Sequence, residues 1–181
     1  MAKYLQPEDT VLVIIDWQEK LVRPMPNGKE ATKNANILVA AANQFNMPII
    51  VTEQYPQGLG STVEDIKEYM KDEILIEKNT FSACLPEFEA ALEKTGRKTI
   101  IIIGIETHVC VLQTVRDLLR LGYDVHVVND AVCSRTKQNF KAGIKMMAEM
   151  GATITTTEIA AFDLMKKSGT PEFKVLSKLI K

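Results

Sequence analysis

Histidine and cysteine are scarce in this 181-residue chain, with two of the first and three of the second, and the scarcity excludes a good deal. Cys84, Cys110 and Cys133 are odd in number and far apart, which argues against a disulfide framework or a zinc knuckle. Neither a histidine pair nor a cysteine pair stands at metal-binding spacing, so no metal is expected. An excess of charge is lacking too. Lys and Arg number 22 against 23 for Asp and Glu, a formal net charge of -1, and this leaves no electrostatic footprint for nucleic acid or an anionic membrane. No apolar run approaches the ~20 residues of a membrane span. Met1 to Asp9 is polar and leads directly into a strand, so no signal peptide is expected and a cytoplasmic, reducing setting is the default. The phosphate-cradling G-x-G-x-x-G is also missing, since Asp16-Trp17-Gln18-Glu19 occupies the first turn, and this weakens the reading of a dinucleotide-dependent oxidoreductase.

What remains is an ordinary globular composition, 46% hydrophobic and 25% charged, long enough to bury one substantial core. The chain shows no internal repeat and no linker, so residues 1–181 read as one domain. Strands and helices alternate along it. Val11–Ile15 is a buried strand ending at Asp16, and helical spacing follows over Asn34–Phe45. Pro48–Thr52 is a second strand, after which Ser61 is placed to cap a helix over Thr62–Met70. Ile74–Glu77 forms a third strand that delivers Lys78, and Pro86 opens a helix closed by Thr95-Gly96. Four consecutive isoleucines, Ile100 to Ile103, are apolar on both faces and read as a central strand. A helix is expected from Thr107 to Leu121, then a strand at Val125–Val128 with Asp130 just past it. Thr136 can cap a helix to Met150, Thr153–Thr156 is a sixth strand, and Pro171–Lys181 is a short amphipathic helix. The alternation implies an α/β fold: a single doubly wound domain with a six-stranded parallel sheet, helices on both faces and Rossmann-like order.

In such sheets ligands bind beyond the carboxyl ends of the strands. Asp16, Lys78 and Cys110 all fall there, an acid, a base and a thiol at one rim. The thiolate is the reactive form of cysteine, and a helix N-terminus favours it, so a depressed Cys110 thiol pKa is expected. Asp16 would take the thiol proton while a cationic Lys78 holds both partners electrostatically. The competing reading makes Asp16 and Lys78 an ion pair that merely ties two strands together, with Cys110 a small buried apolar residue.

Three segments, Ile15-Asp16-Trp17-Gln18, Lys78-Asn79-Thr80-Phe81-Ser82-Ala83 and Gly104-Ile105-Glu106-Thr107-His108-Val109-Cys110-Val111, resemble the isochorismatase-like cysteine hydrolase family. The resemblance covers nearly the whole chain. It is nearest to the small isochorismatase domain-containing proteins, whose pattern is similar to Thr52-Glu53-Gln54-Tyr55-Pro56 and Asn129-Asp130-Ala131-Val132-Cys133-Ser134-Arg135. It implies a catalytic triad of Asp16, Lys78 and Cys110 and a cis peptide before Glu106. It also implies an oxyanion hole made by the amides of Glu106 and Cys110. The implied reaction is attack of Cys110 on a carbonyl or nitrile carbon through a thioester-type intermediate. Nicotinamidase-type members hold a metal where this chain has Thr52-Glu53-Gln54-Tyr55 and no histidine, and enzymes that cleave isochorismate lack the cysteine. Both departures point to a metal-independent hydrolase of an amide-type C–N bond in a small molecule, with no cofactor. Proteins of this fold commonly associate, so a homo-oligomer is expected, with the C-terminal helix as a candidate interface.

Trp17, Gln54, Phe81 and Thr107 are the candidate substrate contacts, although core packing accounts for Trp17 and Phe81 equally well. His108 lies two residues before Cys110, and positions i and i+2 of a helix do not face each other. His126, among valines in a strand, reads as a core histidine, and Cys84 and Cys133 read as packing residues. A catalytically dormant binding or assembly module of the same fold is the alternative.

Overall fold

A computed structural model describes residues 4–181; of the polar segment Met1 to Asp9, the first three residues lie outside the described part. Apolar runs that stop abruptly define the strands: β1 (Thr10–Ile15), β2 (Ile49–Gln54), β3 (Ile74–Lys78), β4 (Thr99–Ile105), β5 (Asp124–Cys133) and β6 (Thr153–Thr155). They form one six-stranded sheet in the order β3-β2-β1-β4-β5-β6, parallel throughout, with the single-turn helices α1 (Glu19–Val22), α3 (Pro56–Leu59) and α4 (Glu64–Lys67) in the connections. The chain winds outward from the β1–β4 centre in both directions, which is the doubly wound arrangement.

Because successive side chains of a strand point to opposite faces, the all-apolar β1 and β4 feed two cores. Leu12, Ile14, Ile101 and Ile103 pack beneath α2 (Gly28–Gln44), α8 (Thr157–Met165) and α9 (Pro171–Leu179). Val11, Val13, Ile100 and Ile102 pack beneath α5 (Pro86–Thr95), α6 (Leu112–Arg120) and α7 (Lys137–Glu149). In the register of the two central strands Gly104 lies opposite Ile15. A Cβ there would sit 2.5 Å from the Ile15 carbonyl oxygen, and φ is +148°, so only glycine fits.

Some boundaries differ from the sequence reading. Helix α2 begins at Gly28 rather than Asn34, since the polar-looking first turns bury Ala31, Thr32 and Ala35. Ser61 caps nothing: the helix there is a single turn, Glu64–Lys67, with Val63 at its N-cap. The intervening Thr62 is instead tied by its amide and hydroxyl to the Glu53 carboxylate at 2.6 and 2.8 Å. Strand β5 runs on to Cys133 through an irregularity in its pairing with β4, so Asp130 lies within the strand rather than past it. There its carboxylate accepts from the Thr157 amide and hydroxyl, both at 2.8 Å, anchoring α8. Thr136 caps α7, accepting from the Asn139 amide, and Gly96 closes α5 in the left-handed conformation.

Candidate active site

Strand ends deliver the acid and the base. Asp16 follows β1 with φ of 48°, a left-handed position that aspartate tolerates better than most residues. Its amide is held by the Thr52 carbonyl at 3.1 Å. Its Oδ1 accepts the Thr52 hydroxyl at 2.6 Å, and its Oδ2 lies 2.7 Å from Lys78 Nζ with both side chains fully out of solvent. Lys78 Nζ also donates to Gln54 Oε1 at 2.8 Å and faces the carbonyls of Thr80 and Phe81 at 3.0 and 3.2 Å. A buried ammonium is tolerated only with such a full set of acceptors. The loop supplying those carbonyls is itself pinned, by Ser82 to Asp117 at 2.7 Å and by the Ala83 amide to Thr114 at 2.9 Å.

The nucleophile candidate enters from the other side of the rim. The Ile105–Glu106 peptide is cis. The expected regular helix start is instead one π-helical stretch, Thr107–Val111, which carries Cys110 before α6 begins at Leu112. Such wide turns recur at functional sites. Cys110 is 6% exposed. Burial above all, and then the Asp16 carboxylate beside it, push its thiol up to about 12, while Lys78 pulls the other way. That overturns the expected depressed thiol: desolvation and a neighbouring carboxylate outweigh the helix terminus. Burial also lifts Cys84 and Cys133 to about 12. What separates Cys110 from them is company, since it alone meets both Asp16 and Lys78.

Of the candidate substrate contacts, Trp17 is corrected. Its ring is wholly buried in the core under α2, two residues past the end of β1, with Nε1 donating to Thr32 Oγ1 at 3.1 Å. Gln54 sits beside the ion pair, with its amide spanning Lys78 and the Asn79 carbonyl. Phe81 stands 54% exposed at the rim. Thr107 is fully buried, and its hydroxyl has no hydrogen-bond partner. The sequence reading missed Thr52, whose hydroxyl orients Asp16, and the pair Glu106–Arg135, in which Arg135 Nε lies 3.1 Å from the carboxylate. His108 faces Ser134 at 3.0 Å rather than Cys110. His126 is buried, and burial lowers its pKa against the opposing pull of Asp124. A cavity of about 510 Å³ opens between α2, the end of β5 and α7, lined by Asn27, Asn129, Cys133, Ser134, Lys137 and Phe140 among others, but not by Asp16, Lys78 or Cys110. Among the described residues no three His, Cys, Asp or Glu side chains converge as metal ligands, and no helix is long and apolar enough to cross a membrane.

A doubly wound parallel sheet with an acid, a base and a thiol at its carboxyl rim defines a class of hydrolase fold, and comparison with known proteins agrees. The isochorismatase domain matches residues 10–159, and the chain belongs to the isochorismatase family. It is 44% identical to a secreted isochorismatase effector, Isc1, of Phytophthora sojae, over 98% of this chain and 87% of that protein. Among solved structures, the MAR1 ribonuclease of Caenorhabditis elegans superposes with a TM-score of 0.93 at 40% identity, covering 98% of this chain and 92% of that one. YcaC of Escherichia coli, described as an octameric hydrolase of unknown specificity, gives 0.92 at 26% identity, covering 99% and 91%. YcaC of Pseudomonas aeruginosa, solved with hexane-2,5-diol and covalent acrylamide, gives 0.90 at 26% identity, covering 99% and 96%.

Proposed function

We propose that residues 1–181 form one cytoplasmic, metal- and cofactor-independent hydrolase domain that cleaves an amide-type C–N bond of a small molecule with Cys110 as nucleophile. The observation that carries the reading is the fully buried Asp16–Lys78 pair set against the Cys110 thiol. A thiol held up to about 12 rests as the neutral acid, so deprotonation is coupled to attack. As sulfur bonds to the carbonyl carbon, Asp16 takes the thiol proton, and the oxygen's new negative charge faces the amides of Glu106 and Cys110. Collapse breaks the C–N bond, Asp16 passes its proton to the departing amine, and a thioester remains on Cys110. Water then gives a proton to Asp16 as its oxygen attacks the thioester. The second collapse releases the carboxylic acid, and the proton returns to sulfur. Lys78 keeps Asp16 in place through the cycle. Gln54 and Phe81 complete the substrate surface, Phe81 through its exposed ring, while the fully buried Thr107 stands behind it.

The covalent acrylamide in one YcaC structure is consistent with an electrophile-accepting site in this family, and the octameric YcaC supports a homo-oligomer. A net charge of -1 favours a small molecule over RNA, whatever the activity of the related ribonuclease. The second reading, a dormant binding or assembly module, is favoured by one observation, that the Cys110 thiol is raised as far as those of Cys84 and Cys133. Intact-protein mass spectrometry during turnover of an amide and nitrile panel separates the two. The hydrolase reading expects an acyl adduct on Cys110 that disappears in Cys110→Ser and forms far more slowly when Asp16 is replaced by Asn, because the same carboxylate serves attack by the thiol and attack by water. Adducts spread evenly over the three cysteines, or none with any compound, would establish the dormant module.

A further inference from the structure

The cycle above leaves unused a second charged pair that holds the nucleophile's turn. Glu106 opens that turn with its side chain 10% exposed. Its Oε2 accepts from the Arg135 amide at 3.0 Å and from Arg135 Nε at 3.1 Å, and its Oε1 lies 3.2 Å from the same Nε. One residue earlier, Ser134 Oγ meets His108 Nδ1 at 3.0 Å. From a third direction Gly143 of α7 lays bare backbone against the turn, since a Cβ there would come within 3.1 Å of the Thr107 carbonyl oxygen and the His108 Cα. The end of β5 and the flank of α7 thus grip residues 106–108 from behind, while Cys110 faces the opposite way, toward Asp16.

We infer that Arg135 is a positioning residue for Cys110: its amide and Nε on Glu106 fix the turn, and its charge offsets the one carboxylate near the sulfur that is not the base. This rests on the cysteine reading above and adds a residue to it. The charged groups facing Cys110 are Asp16 from the end of β1, Lys78 from β3 and Glu106 from its own turn, and both carboxylates push the thiol up while Lys78 lowers it. Asp16 is answered by Lys78; Glu106 is answered by Arg135. A nearly buried carboxylate left without its partner would oppose the negative charge that develops on sulfur during attack. Exposed ion pairs contribute little. Here only the arginine is exposed, at 62%, and it binds through main chain and side chain together, charge-assisted bonding from two donors that orients the carboxylate.

The test is the rate of iodoacetamide alkylation at each cysteine of the full chain, followed against pH in the alkaline range where the rate tracks the thiolate fraction. Arg135→Gln is expected to displace the Cys110 profile upward by roughly half a unit to one unit, about 3- to 10-fold slower at fixed pH. Cys133, which also feels Glu106, should move the same way, and Cys84 should not. Arg135→Lys keeps the charge and should restore most of the rate, and Glu106→Gln should move the profile downward, which keeps the test alive if Arg135→Gln fails to fold. In turnover the arginine variant should lower kcat and leave KM unchanged. A folded Arg135→Gln whose Cys110 profile stays put, or an Arg135→Lys displaced just as far, overturns the inference and leaves the cysteine reading standing. A Cys110 that no electrophile labels in the unaltered chain sinks the cysteine reading, and this inference with it.

Discussion

On the β1–β3 side of the rim, Lys78 and Asp16 meet at 2.7 Å with neither side chain in contact with solvent, whereas on the β4–β5 side Glu106 meets an Arg135 that is 62% exposed. The first pair is walled in by Thr52, Gln54 and two loop carbonyls; the second leaves its arginine open to solvent. The difference teaches what each half is built to do. A fully desolvated pair keeps its full electrostatic strength but is intolerant of losing a member. A pair with one wet partner can be lost with little damage to the fold, so its contribution to the site can be separated from its contribution to stability. Cys110 stands between the halves and feels both.

The largest effect expected is therefore on the buried side. Lys78→Met leaves the Asp16 carboxylate buried without its cation, and removing one member of such a pair costs about 3–5 kcal/mol. Urea denaturation should show that loss, with hydrolysis abolished. A double variant, Asp16→Leu with Lys78→Met, should recover much of the stability and none of the activity. If Lys78→Met folds as well as the unaltered protein, water reaches this pair and the contrast between the halves collapses.

The seam between the halves comes next. Gly104→Ala would place a methyl group 2.5 Å from the Ile15 carbonyl oxygen and 2.9 Å from its Cα at a φ of +148°, against central-strand backbone that has little room to shift. Overpacking of this kind costs about 1–3 kcal/mol, readable as a lowered Tm. Because Ile15 and Gly104 each lie just ahead of a site segment, the Asp16–Cys110 geometry should loosen too, and turnover should fall further than the Tm alone implies.

Much of this arrangement was legible in the sequence, for reasons that also explain what was not. Asp16 and Lys78 are visible because each stands where an apolar strand stops, and strand ends define the rim of a parallel sheet. Cys110 is visible because a glycine breaks the isoleucine run six residues before it. Thr52 is invisible because a β-branched residue at a strand end looks like any other strand residue; only its hydroxyl on Asp16 distinguishes it. Glu106 and Arg135 are 29 residues apart, and no local pattern joins them. The wide turn at Thr107–Val111 leaves no mark on side-chain spacing. Helix α8 escaped because Ile159 and Phe162 stay exposed while Ala160, Ala161 and Leu164 are buried, so its apolar residues wrap the helix and no face stands out. The thiol's direction was misjudged because burial cannot be read from a helix start alone.

A subtler contrast lies in proton affinity at the sulfur. Asp16 raises the Cys110 thiol and Lys78 lowers it, so Asp16→Asn should do two opposite things. It removes the base, and hydrolysis should be lost; it also removes a negative neighbour, and the thiol should fall below about 12. Alkylation by iodoacetamide at fixed alkaline pH should then speed up, by about tenfold for a one-unit fall. The sign for stability follows the same logic. A thiol raised in the fold loses stability as pH climbs above the unfolded value, where only the unfolded chain ionises. Asp16→Asn should therefore soften the alkaline decline of stability as well. Slower alkylation in this variant would mean that Asp16 does not neighbour the sulfur.

The smallest effect expected is at the brace. Ser134→Ala removes the hydroxyl that faces His108 Nδ1 and leaves the imidazole, which is partly exposed, to water. A hydrogen bond of this kind contributes about 0.5–1.5 kcal/mol, and the access to water puts the loss at the low end. The informative reading is the ratio of two losses. If Ser134 only stabilises the end of β5, chemical denaturation should shift slightly and kcat should not. If the grip on residues 106–108 aims the nucleophile, kcat should fall several-fold at nearly constant stability, because small displacements of a reacting atom cost rate far out of proportion to their cost in folding free energy. The second pattern would show that the solvent-facing half of the rim sets geometry while the buried half sets charge.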